Sequence, residues 1–131
     1  MVFDTNVFVS ALVFPGGLAD RALREALSRE DTVLLSRPIL DELLGVLARK
    51  FSRDSEELAR VAVFLDDLTE TIEPSERIDA LADEPDNRVL ECAVEGRADC
   101  AVSGDQEVLA LGAFRGIRML SVRAFVELDR P

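Results

Sequence analysis

The sequence predicts an α/β fold built on a parallel sheet of about five strands, and three observations carry that expectation. Short runs rich in Val, Ile, Leu and Phe alternate with longer segments of helical period, which is the pattern of βα units. The length, 131 residues, suits a single compact domain over residues 1–131 that buries roughly two thirds of its unfolded surface. The composition is 48% apolar and 31% charged with 7 glycines and 5 prolines, which excludes disorder, collagen-like repeats and low-complexity linkers.

Residues 1–4 are the first expected strand, with only Met1, Val2 and Phe3 ahead of Asp4. Strands usually run about 5 to 6 residues, so the native start is expected upstream of Met1. Residues 18–28 read as an amphipathic helix, with apolar side chains at 18, 19, 22, 23, 26 and 27. A strand follows at 32–35, then a helix at 38–50 carrying Ile39, Leu40, Leu43, Leu44, Val46 and Leu47 on one face, with Pro38 near its start. Residues 55–68 form a further helix and 70–73 a weak strand. Residues 87–95 are a helix stopped by Gly96, 100–103 a strand, 106–111 a short helix, 117–121 the last strand and 122–128 a brief closing helix. Asp129-Arg130-Pro131 reads as the edge of the domain. No internal repeat is present, and the one sharp change in composition is the stretch 66–91, with ten acidic residues and two arginines.

Several chemistries are excluded by what is missing. There is no histidine, tryptophan or tyrosine, so Ser-His-Asp and Cys-His catalysis, histidine-ligated metals and tyrosine nucleophiles are ruled out. Cys92 and Cys100 are too few for a disulfide framework, share no C-x-x-C spacing and are read as buried thiols. The N-terminus lacks the order of a signal peptide and no apolar run reaches the roughly 18 to 20 residues of a membrane span, so a cytoplasmic protein without membrane association is expected. Lys plus Arg number 15 against 26 Asp plus Glu, for a net charge of -11 and a pI near 4.4. That balance repels polyanions unless cations or a local basic patch intervene. Any catalysis must run on carboxylates.

Ligands of open α/β sheets bind beyond the carboxyl ends of strands, which singles out Asp4 and Asp105. Asp4 is followed by Thr5 and Asn6, whose hydroxyl and amide can orient a carboxylate and ligand waters. Asp105 lies in Val102-Ser103-Gly104-Asp105, where Gly104 permits a turn and Ser103 can hydrogen-bond a carboxylate or phosphate. Each aspartate could equally be a helix N-cap. Asp86 shares a helix face with Val89, Leu90 and Ala93, and Glu42 shares one with Ile39, Leu43 and Val46. Carboxylates on apolar stripes are costly to desolvate unless they meet a buried arginine or a metal, a demand that Asp41 and Glu91 do not make. Four such groups in one cleft would repel by about 4 kcal/mol per pair at 4 Å and an effective dielectric of 20, which divalent cations resolve. All-oxygen donors favour Mg²⁺ or Mn²⁺.

Four blocks, in order, resemble the PIN-domain nucleases: Val2-Phe3-Asp4-Thr5-Asn6-Val7, residues 36–47 around Glu42, residues 83–93 around Asp86, and Ala98-Asp99-Cys100-Ala101-Val102-Ser103-Gly104-Asp105. They are most similar to the VapC-like branch of toxin components of toxin-antitoxin systems, and the resemblance runs from residue 2 to about 125. It implies a three-layer α/β/α fold and an acidic pocket of Asp4, Glu42, Asp86 and Asp105 holding one or two divalent cations. Thr5, Asn6, Ser103 and the accessory acid Asp83 would support that pocket. It also implies hydrolysis of single-stranded RNA to 5′-phosphate and 3′-hydroxyl ends by a metal-activated water, homodimerisation, and a cognate antitoxin. Glu84-Pro85 departs from the Pro-Asp more common in this branch.

Fourteen of the fifteen basic residues are arginine. Arg49, Lys50 and Arg53 form one candidate RNA-binding cluster, and Arg115, Arg118 and Arg123 another. Phe51, Val61, Phe64 and Leu65 are candidates for a dimer surface or for the core. A phosphate-loop NTPase is excluded because no G-x-x-x-x-G-K-[ST] occurs. Haloacid-dehalogenase chemistry is discounted because Asn6 stands where a second Asp is needed, and a receiver module because the only lysine, Lys50, is misplaced. The alternative from another class is a catalytically silent PIN-like module that binds metal or a protein partner as a scaffold or regulator.

Overall fold

The computed structural model describes residues 1–128; Asp129, Arg130 and Pro131, expected to be a domain edge, lie outside the described residues. β1 (Val2–Phe3) passes directly into α1 (Thr5–Val13), and a short turn leads to α2 (Leu18–Ser28). β2 (Leu34–Ser36) is followed by α3 (Arg37–Phe51) and α4 (Ser55–Leu68). After β3 (Glu70–Ile72) a long loop reaches α5 (Glu84–Glu95) and β4 (Cys100–Val102). α6 (Gln106–Ala110), β5 (Ala113–Phe114), β6 (Ile117–Leu120) and α7 (Val122–Val126) complete the described chain.

The strands form one sheet in the order β3-β2-β1-β4-β6-β5. The five expected strands are all present and mutually parallel, with Val2 opposite Leu34 and Ala101, and Ala101 opposite Met119. The central strands carry Val2, Phe3, Leu34, Leu35, Ala101 and Val102, all buried, as a parallel sheet covered on both faces requires. α5 packs against β1, β2 and β4, while α1, α2 and α7 pack on one another, giving the expected α/β/α layering. Phe3 anchors the core through edge-on contacts with Phe8 at 5.5 Å and Phe125 at 5.9 Å between ring centres.

Two elements correct the sequence reading. α1 was not expected, because Thr5, Val7, Phe8, Val9 and Ala11 are all buried and only Asn6 and Ser10 mark a polar side, too narrow to betray a helical period. β5 was not expected either; its two residues pair antiparallel with β6 across a turn at Arg115 and Gly116, both at positive φ, so the sheet has six strands. α5 also begins three residues before the expected position, with Pro85 in its first turn. α3 and α4 start on recognisable caps. Ser36 accepts from the Ile39 amide ahead of Pro38, and Asp54 and Glu57 form a reciprocal capping box.

The strand order places the functional region. From β1 the chain moves outward through β2 to β3, then crosses back to lay β4 on the other side of β1. The carboxyl ends of β1 and β4 therefore flank the switch point of the sheet, where an open α/β fold leaves a crevice.

A candidate active site at the switch point

Asp4 and Asp105 leave the ends of β1 and β4 at this crevice, and both are N-caps. Capping and site placement thus coexist. Asp4 Oδ1 accepts from the Val7 amide at 2.8 Å, and its Oδ2 accepts the Ser103 hydroxyl. Ser103 Oγ in turn accepts from the Asp105 amide at 3.0 Å, so one fully buried hydroxyl ties the two strand ends together. Asp105 Oδ1 caps α6 through the Glu107 amide at 2.8 Å.

Asp86 sits in the first turn of α5, 9% exposed, and its Oδ2 is buried without a hydrogen-bond partner among the described residues. Among the described residues no buried arginine pairs with it: Arg88 on the same helix instead binds Glu91 at 2.9 Å. Burial pushes the Asp86 carboxyl up to about 7, helped by the negative charges of Asp83, Asp105, Asp4 and Glu107. Burial also raises Asp4, against the hydrogen bonds from Ser103, Val7 and Gly104, with Asp105 adding to the rise. Two carboxyls raised mainly by burial share one crevice, each with acidic neighbours that add to the rise.

Ligand oxygens of Asp83, Asp86 and Asp105 lie within 4.8 Å of one another. Around them a cavity of about 160 Å³ is lined by Asp4, Thr5, Asn6, Glu42, Asp83, Asp86 and Asp105, with Arg49 and Lys50 on its α3 side. The fold thus gathers every acid singled out in the sequence, and brings Asp83, first read as accessory, into the tightest group. Glu42 is half-buried, and its nearest cation is the exposed Arg49, 3.9 Å away. The Thr5 hydroxyl is buried with no partner among the described residues, and Thr5 is part of the lining of the same cavity. Arg53 is placed elsewhere, 3.0 Å from Glu57. A larger hollow of about 500 Å³ beside β2 and β3 holds Asp66 and Glu73 but no such convergence of acids.

The sequence reading missed what delivers Asp83. Asn87, Glu91 and Glu95, one turn apart along α5, accept backbone amides of the loop that runs back along the helix. Glu95 takes Ser75, Glu91 takes Ile78, and Asn87 takes Ala80 and Leu81 while donating to the Leu81 carbonyl. Glu91, expected to need no explanation, is 6% exposed and is satisfied by this amide and by Arg88. Asn87 is fully buried; an amide followed at i+4 and i+8 by Glu91 and Glu95 on one helix face was the available signal.

The residues fit a divalent cation. Their donors are all oxygen, one buried carboxylate oxygen lacks any partner, and three carboxylates converge closely enough to share an ion. A match to the PIN domain family spans residues 1–107, which covers all five acids. The chain belongs to the PIN domain family. It is also similar, 27% identical over 115 residues, to an uncharacterized protein of Methanocaldococcus jannaschii, MJ1680; the match covers 85% of this chain and 74% of that one. PIN domains are generally nucleases that use divalent metals, and the acidic cluster of this PIN domain is suited to that chemistry. No described helix is long and apolar enough to cross a membrane.

Proposed function

We propose that the protein is a Mg²⁺- or Mn²⁺-dependent endoribonuclease that hydrolyses phosphodiester bonds of single-stranded RNA. The observation that carries this reading is the convergence of Asp83, Asp86 and Asp105 on an unpartnered carboxylate oxygen at the switch point of a PIN fold. Asp4, Glu42, Asp86 and Asp105, with Asp83, would hold one or two ions. A bound ion supplies Lewis acidity that activates water and offsets the charge developing on the phosphate. Ser103 keeps Asp4 and Asp105 in fixed relation, so little reorganisation is left for the moment of reaction. Asp86, its carboxyl raised by burial, would hold a bound cation as the carboxylate, so ion binding would be coupled to loss of its proton. Thr5 and Asn6 line the cavity with a free hydroxyl and an amide that can orient a ligand water.

The resemblance to VapC-like ribonucleases supports RNA as substrate and a role as the cytoplasmic toxin of a toxin-antitoxin pair, one PIN unit per chain and two chains per molecule. Phe14, Val63 and Phe64, exposed on the surface, favour a dimer; Leu65, also considered for that surface, is fully buried in the core.

The test is incubation of an end-labelled single-stranded RNA pool with Mg²⁺, Mn²⁺ or EDTA, using the natural protein and the Asp4→Asn and Asp105→Asn variants. Asparagine still caps a helix, so folding is preserved. Metal-dependent cutting to 5′-phosphate products, reduced by about a hundredfold or more in both variants, is the expected result. A folded protein that binds Mn²⁺ yet cuts no sequence would instead be a scaffold or regulator.

A further inference from the structure

Arg49, Lys50 and Arg53 are neighbours in sequence, but the fold separates them. Arg53 turns to Glu57 in a hollow between α1, α3 and α4, whereas Arg49 and Lys50 line the acidic cavity. The second basic cluster does not line that cavity: Arg115 binds Glu76 at 2.7 Å, Arg123 lies 3.7 Å from Glu127, and Arg118 is exposed on β6.

Gly45 explains how Arg49 reaches the site. Glycine weakens a helix interior, and this one stands in the middle of α3. A methyl group there would lie 2.7 Å from Arg49 Nη1, so the guanidinium occupies the notch that the missing side chain leaves. From it Arg49 reaches back along the helix to place Nη2 3.9 Å from Glu42 Oε1. A helix C-terminus attracts basic residues for electrostatic reasons alone, but that attraction requires neither the notch nor the turn towards Glu42. The Arg49 side chain is 64% exposed, so its ion pair is weak and exchangeable.

Resting on the nuclease reading above, we infer that Arg49, seated in the Gly45 notch, is the phosphate-binding group of the cleft, with Lys50 beside it, and that the RNA strand crosses the C-terminal half of α3. A guanidinium offers a phosphate two parallel N–H donors. Glu42 holds Arg49 at the cavity wall while the acids are uncompensated. With cations held by those acids, Arg49 would exchange this weak pair for a phosphate of the strand.

Binding rather than cleavage tests this, with a fluorescent, hydrolysis-resistant phosphorothioate-linked single-stranded RNA, in EDTA and in Mg²⁺, between about 50 and 200 mM salt. Arg49→Gln is expected to weaken binding roughly fivefold and to lower the salt slope by about 0.7, the share of one phosphate contact on a single strand. Gly45→Ala is expected to weaken binding to a smaller extent, because its methyl group shifts the movable tip of Arg49 out of the notch, while its better helix propensity raises Tm by about 3 °C. Arg53→Gln is expected to bind as the natural protein does. If the natural protein binds RNA and either Arg49→Gln or Gly45→Ala binds equally well, the inference is overturned and the nuclease reading stands. If the natural protein binds no RNA under any of these conditions, both fall.

Discussion

Asp86 is the residue whose protonation the fold disturbs most visibly. Its carboxyl is pushed to about 7 by burial and by four acidic neighbours, against an ordinary value of 3.8. The folded chain therefore holds this proton more tightly than the unfolded chain between about pH 4 and 7. Stability contributed by Asp86 is present at the acid end of that window and is lost as pH rises through 7. In EDTA, urea midpoints should fall between pH 5 and pH 8 more steeply for the natural protein than for Asp86→Asn; parallel pH profiles would remove the argument. Added Mg²⁺ should restore the midpoint at pH 8. The positions of Asp4, Asp105, Asp86 and Glu42 were legible in the sequence because strand ends and apolar stripes have fixed geometry. Asp83 was less so, since nothing in its own neighbourhood states where a loop will be laid down.

At the level of elements, that loop is the instructive case. Three α5 side chains, spaced one turn apart, each accept an amide of the incoming backbone, and the Asn87 clamp lies nearest to Asp83. Asn87→Ala should leave the Ala80 and Leu81 amides and the Leu81 carbonyl unpaired, at a cost of about 2 kcal/mol. It should also weaken Mn²⁺ binding by freeing Asp83. Hydrogen exchange at Ala80 and Leu81 checks the first effect and calorimetric titration the second; unchanged metal affinity would mean that Asp83 is held by other means. Elements with a clean period, such as α2 and α4, were legible to the residue. α1 was hidden by burial of most of its circumference, and β5 by being only two residues of edge strand, whose existence depends on the partner β6 rather than on its own composition.

For the whole molecule, a net charge of -11 means that the compact state works against its own field. In EDTA, raising monovalent salt from about 20 to 200 mM should raise Tm by screening. A few millimolar Mg²⁺ at matched ionic strength should raise it further if the acids bind the ion specifically; equal shifts would argue for screening alone. The Ser103 hydroxyl has a wider consequence. By tying Asp4 to the Asp105 amide it makes two walls of the cleft one rigid piece, inherited with the core of the sheet. The α3 wall is bound by no such staple and meets solvent along Arg49 and Lys50. On the nuclease reading proposed above, such a division would let target preference change while the acidic site stays constant, so a library confined to α3 residues 45–50 is where retargeting should begin.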